Sequence, residues 1–275
     1  MIKKNIVCMI HVVSIVLVLG MLMSTSGGEE LAEPVYVGIA DYYDNRKAVV
    51  TVTADDWYGS TTQSFEDMNA MLVGRHIRYT GAVMTSSSPD WNQIQRLLGQ
   101  GYLEVASHSR THPQVPYDSY DSEIGGSRQD IVGNLSLPTM FSFGDAEFVY
   151  SWIEPWGESD SMVRQKLGEY EYLTDRKVSI DDEWATWDPE NGLFDPIGFS
   201  MRMERDYETD PNTLNSKFDI VYNAGGIYHL MTHPAKANWD PGAYADVHTA
   251  YISNRNDVWY VSFGLLYLYH WMDMP

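Results

Sequence analysis

Cysteine is almost missing from this chain: Cys8 is the one example in 275 residues. It lies in an amino-terminal apolar run with no L-x-G-C lipobox around it, so the rest of the chain can form no internal disulfide and relies on its core alone. Positive charge is scarce as well. Eighteen Lys and Arg stand against 38 Asp and Glu, a formal net charge of −20. That balance argues against a nucleic-acid partner, because phosphate binding depends on basic patches. It favours neutral ligands, although acidity also simply keeps an exported protein soluble. Internal repeats and low-complexity segments are absent too, which excludes repeat architectures. What is present is ordinary for one globular domain: 44% hydrophobic and 20% charged residues, enough for a single substantial core. Nine Trp and 19 Tyr suit a protein that stacks on sugar rings, and suit core packing as well.

The first residues read as an export signal. Lys3 and Lys4 precede the apolar run Ile6 to Met23, and "STSGGEE" follows, which is the layout of a secretory leader. The run is long for a signal core and short for a spanning helix, and no A-x-A cleavage site is evident, so a cleaved signal and an uncleaved anchor both fit. Residues 1–33 are assigned to this segment and its linker, and residues 34–275 to one globular domain. The expected location is extracytoplasmic, either secreted or held at the membrane through that anchor.

Beyond the linker, strand and helix patterns alternate. Lys47 to Ala54 reads as a buried strand, Ser64 to Gly74 as a helix with apolar Phe65, Met68, Met71 and Leu72, and "YTGAVMT" as a second strand. "DWNQIQRLLGQG" has an Asp90 cap, a helical apolar pattern and a glycine stop before the third strand "LEVAS". Further strands are expected at Glu147 to Ile153, around Tyr172 to Val178, and at Ile227 to Thr232. Alternation of this kind implies a mostly parallel sheet, and the length suits a barrel.

In a parallel barrel, side chains just past the carboxyl ends of the strands converge on one rim. Here the strand ends carry "TADDW" (Asp55, Asp56), "SHSRTH" (His108, His112), "IEPWGESD" and "IYHLMTHP" (His233). The spacing of His108 and His112 lets both face one ion if that segment coils. Two His and one Asp form a common three-ligand set with open positions for water, and the neighbouring acid could then take the proton of that water. The plainer readings are a polar loop for the histidines and helix capping for the aspartates.

In order and spacing, "TADDW", "HSRTH", "PWG" and "LMTH" resemble the motifs of the NodB-type polysaccharide deacetylases, carbohydrate esterase family 4, over roughly Ala48 to Trp271. The resemblance implies an α/β fold, a distorted (β/α) barrel with about seven parallel strands, and hydrolysis of N-acetyl or O-acetyl groups on a glycan. It implies Asp55 as general base, Asp56, His108 and His112 as ligands of one divalent metal, most often zinc and sometimes cobalt or nickel, and His233 as general acid. It also implies that the Trp156 backbone N–H stabilises the oxyanion, that Gly157 shapes that loop beside the substrate, and that Leu230 lines the acetyl pocket. Trp152, Trp57 and Trp156 are candidate sugar platforms at the rim, or packing under loops. The family's fourth motif resembles only loosely "DDEW" at Asp181 to Trp184.

One position departs from the pattern. Ile153 stands where many relatives carry an arginine that orients the base, which leaves Arg110 or Arg164 as candidate substitutes and a catalytically weak glycan-binding relative as the alternative function. His229, His248 and His270 read as structural histidines.

Overall fold

The computed structural model describes residues 40–177 and 199–273. Its longest strand, β1 (Ala48–Trp57), is buried along nearly its whole length, as a β-branched V-V-T-V-T run demands of a strand covered on both faces. β2 (Tyr79–Val83), β3 (Leu103–Ser107), β6 (Ser151–Ile153) and β7 (Thr174–Arg176) extend the sheet on one side, and β9 (Ile227–Thr232) and β8 (Phe199–Arg202) on the other, in the order β7-β6-β3-β2-β1-β9-β8. β10 (Val258–Tyr260) pairs with the start of β1. Every ladder of this sheet is parallel. The sheet curls into a half-barrel with helices around it, the architecture expected from the alternating pattern. β4 (Ser142–Phe143) and β5 (Ala146–Glu147) form a separate small hairpin. The single strand expected over Glu147 to Ile153 is therefore two short pieces. The amino-terminal apolar run and "DDEW" lie outside the described residues.

Local signals explain the placement of the early elements. Asp90 caps helix Trp91–Leu98, its carboxylate accepting the Gln93 N–H at 3.0 Å. Helix Thr62–Gly74 buries Phe65, Met68 and Leu72 against the sheet. Trp57, at the end of β1, is fully buried and stacks on Phe65 with ring centroids 4.2 Å apart. Gly81 of β2 is required there, since a Cβ would stand 2.9 Å from the Trp57 ring.

Side-chain alternation gives the sheet two unlike faces. Outward, Val50, Val52, Ala54, Val105, Trp152 and Leu230 join the main hydrophobic core under the helices. Inward, a thin apolar layer of Ala82, Ala106 and Ile153 separates a polar floor from a polar rim. In the floor, Glu104 accepts the Ser151 hydroxyl at 2.6 Å and the Gly264 N–H at 2.9 Å. Thr80 Oγ1 accepts the Phe263 N–H at 2.9 Å. The barrel floor thus caps the start of helix Phe263–Asp273, whose first N–H groups have no partner within the helix.

Candidate metal and catalytic site

The rim is built where β1, β3 and β9 end. β1 changes register against β2 between Ala54 and Trp57, and Asp56 has φ +63°. This bulge turns two consecutive aspartates in different directions, as such irregularities do beside functional sites. Asp55 points inward and is 2% exposed, whereas Asp56 points to the rim.

Asp56 meets two histidines. Its Oδ1 lies 3.4 Å from His108 Nε2 and 3.5 Å from His112 Nε2, and one ligand atom from each of the three residues falls within 4.8 Å of the others. Donor atoms held tetrahedrally around one zinc ion stand about 3.4 Å apart, so the trio fits a metal. Asp56 Oδ1 is buried without a hydrogen-bond partner among the described residues, an arrangement that a cation would satisfy. His108 Nδ1 donates to the Ile153 carbonyl at 2.8 Å, which leaves its Nε2 lone pair aimed at the cluster. Burial, then the charge of His108, lowers His112 to about 4, and that ring is neutral and free to ligate. The Asp56 carboxyl is pushed up by burial, but contact with His108 and the charges of His108, His233 and His112 outweigh this and hold it low. The H-x-x-x-H segment is not the helical turn the spacing suggested. It is a tight loop in which Ser109 and His112 have left-handed φ values of +62° and +61°.

The missing arginine is present one strand away. Arg176, 2% exposed, donates through Nη2 to Asp55 Oδ2 at 2.5 Å, and in the β6–β7 ladder Ile153 is the register partner of Arg176. A buried cation thus stands on the neighbouring strand at the height of Ile153. Neither expected substitute serves: Arg110 pairs with Asp130 at 2.9 Å, and Arg164 lies near Asp160. Burial pushes the Asp55 carboxyl up, but the charges of Arg176, His108 and His233 and the Arg176 hydrogen bond prevail, so its pKa lies below the ordinary value. Asp55 Oδ1 has no partner among the described residues and remains available to accept a proton.

His233 directly follows β9, with its Nε2 3.7 Å from Asp56 Oδ2. Glu204, fully buried beyond the end of β8, receives both the His233 Nδ1–H at 2.7 Å and the His233 backbone N–H at 3.0 Å. Arg202 Nε donates to its other oxygen at 2.8 Å. Glu204 thus fixes the orientation of the His233 ring. Its signal was the R-M-E alternation, which puts Arg202 and Glu204 on one side of the chain.

Trp156 is 61% exposed, in a left-handed conformation (φ +60°), with its ring 5.1 Å from that of His112 and its Nε1 donating to the His112 carbonyl at 3.2 Å. Gly157 follows with φ +72°, a value that favours glycine. Trp152 and Trp57 have no exposed surface, so of their two readings packing holds and Trp152 is not a substrate contact. Leu230 belongs to the outer core and pairs with Val52 and Met201. Alternation places Met231, two residues before His233, on the site's side instead. His229 is structural as expected: it contacts Thr53 Oγ1 at 2.9 Å, and burial lowers it to about 3. His248 and His270 are likewise buried.

No protein-family model and no curated protein sequence matches this chain. Solved structures do. A Mycobacterium smegmatis protein assigned to the polysaccharide deacetylases superposes with a TM-score of 0.57 at 14% identity, covering 84% of this chain and 93% of its own. The PuuE allantoinase gives a TM-score of 0.59 at 11% identity over 84% and 92%. A mutant of a Bacillus anthracis family 4 carbohydrate esterase pseudoenzyme, with restored enzymatic activity, gives 0.52 at 16% identity over 82% and 69%. The fold of this chain is therefore that of the NodB-type polysaccharide deacetylases of carbohydrate esterase family 4, a fold shared with an allantoinase and with a pseudoenzyme.

Proposed function

We propose that this chain is an exported, metal-dependent deacetylase that removes N-acetyl or O-acetyl groups from a glycan. The observation that carries the reading is the Arg176–Asp55 pair beside the Asp56, His108 and His112 cluster. It supplies an ionised, oriented base at the place where Ile153 had suggested that catalysis was lost. A divalent ion held by these three residues, with zinc best suited to the nitrogen-rich set and cobalt or nickel compatible, would polarise the acetyl carbonyl and acidify water.

The chain's own groups do the rest. Asp55 Oδ1 accepts a proton from the attacking water while Arg176 keeps its other oxygen fixed. The Trp156 backbone N–H, in the residue whose ring lies 5.1 Å from that of His112, supports the oxyanion as the carbonyl carbon becomes tetrahedral. His233, with Nδ1–H held by Glu204, presents Nε2 to protonate the departing amine or alcohol oxygen. The exposed Trp156 ring offers a sugar a flat apolar face, and the acidic surface suits a neutral glycan better than a polyanion.

A panel of N-acetylglucosamine oligomers, acetylated xylan and allantoin tests this reading. Acetate is expected from one of the glycans and no turnover of allantoin. Hydrolysis of allantoin alone would identify a small-amide hydrolase, and metal binding without any turnover would identify a silent glycan-binding relative.

A further inference from the structure

We infer that Glu123, which none of the rim motifs contains, is the positioning residue that shapes the two-histidine loop for its metal. This rests on the metal-site reading above. Loop 108–112 joins two ligands through backbone that is neither helix nor strand, and two of its residues have left-handed φ values. Such a loop holds its shape only if its surroundings determine it. Its N–H groups can be accounted for one by one. His108 N–H goes to the Val83 carbonyl at 2.9 Å, Ser109 N–H to Ser107 Oγ at 3.3 Å, and His112 N–H to Ser109 Oγ at 2.8 Å. The two central groups, Arg110 N–H and Thr111 N–H, both go to Glu123 Oε2 at 2.9 Å, and the Thr111 hydroxyl goes to Glu123 Oε1 at 2.8 Å.

Glu123 is thus the charged group that receives both central N–H groups of the loop, and it lies outside the loop, on the π-helical turn Asp121–Gly126. Charge-assisted bonds to consecutive N–H groups are stronger than neutral ones, and half-burial of Glu123 limits competition from water. The turn is shaped for this approach. A Cβ on Gly126 would stand 2.9 Å from Arg110 Cδ, so a small residue there lets the Arg110 side chain cross the turn to Asp130. A π-turn with paired glycines is a costly segment that persists near functional sites. The Thr85 and Ser86 N–H groups also hold the loop, through the Ser109 and Arg110 carbonyls at 3.1 and 2.9 Å, but without Glu123 the Arg110 and Thr111 N–H groups lose their acceptor and the stretch that carries His112 toward Asp56 is less firmly fixed.

The test is cobalt titration of the metal-free full chain, read from the visible Co(II) bands, with zinc affinity measured by competition against a chelator. Melting temperature of the metal-free protein is recorded alongside. Glu123→Ala is expected to weaken affinity roughly 10- to 100-fold, the usual effect of losing a partner that supports ligands, and to alter the Co(II) bands. Glu123→Gln, which keeps one acceptor oxygen, is expected to recover most of the affinity. Metal affinity and bands equal to wild type in Glu123→Ala would overturn the inference. So would a lowered melting temperature with unchanged affinity, which marks a merely structural role. If Glu123→Ala does not fold, Glu123→Asp, too short to reach all three donors, must bind more weakly than wild type, and equal binding overturns the inference. A wild type that binds no metal would instead sink the metal-site reading on which the inference stands.

Discussion

At the scale of single residues, the site depends on where two neighbouring carboxylates point. Asp55→Asn should keep the metal and lower turnover roughly 100-fold or more, the scale of a lost general base, whereas Asp56→Asn should lose the metal as well. Parallel metal analysis and rate measurement separate the two, and equal metal loss in both variants would show their roles to be confused. Arg176→Met leaves Asp55 buried without its cation, so the Asp55 pKa rises. The protonated form of a base is inactive, and the acidic limb of the pH profile should therefore move toward alkaline pH while metal content stays constant. Removal of one partner of a buried pair also costs about 3–5 kcal/mol of stability. Because Ile153 and Arg176 are register partners, the double exchange Ile153→Arg with Arg176→Ile should restore part of the activity and return the limb toward acid. An acidic limb unmoved in Arg176→Met would show that another group sets the charge of Asp55.

Among the structural elements, β6 and β7 carry a strain that the reaction does not use. Glu154 is 1% exposed, and its carboxylate faces that of Asp175. Burial, followed by the charge and hydrogen bond of Glu154, raises the neighbouring Asp175 to about 8. A carboxyl raised in the fold stabilises it fully below the unfolded value of about 4, and that stability is lost as pH rises toward 8. Asp175→Asn should therefore melt at a temperature that falls less between pH 5 and pH 9 than that of wild type, at roughly 2–4 °C for each kcal/mol relieved. Identical pH slopes would show that the pair carries no such strain.

The same elements show what the sequence could disclose. The motifs at the ends of β1, β3 and β9 were legible because a parallel sheet brings successive strand ends to one rim, whatever lies between them. Arg176 was not legible, because the equivalence of two positions on adjacent strands is a matter of β6–β7 register. Glu204 escaped notice because β8 spans four residues and its alternation is brief. Met231 was within reach: counting back two residues from His233 selects it, while matching a leucine by identity selected the outward-facing Leu230.

For the molecule as a whole, the balance of 18 basic against 38 acidic residues sets its response to salt. A chain far from neutrality is destabilised by self-repulsion, and salt shortens the screening length to about 10 Å at 0.1 M. Adding sodium chloride should raise the melting temperature. It should also raise turnover of an anionic acetylated glycan more than that of a neutral one. Equal salt dependence for both substrates would place the negative field away from the site.

The central claim is that Asp55, clamped by Arg176, works beside a metal held by Asp56, His108 and His112. Acetate release from N-acetylglucosamine oligomers, followed through chelation and then restoration of zinc, tests it most directly. Release should vanish on chelation and return with zinc in wild type, but stay roughly 100-fold lower in Asp55→Asn at the same metal content. Release that survives complete removal of the metal, or full activity in zinc-loaded Asp55→Asn, would contradict the account.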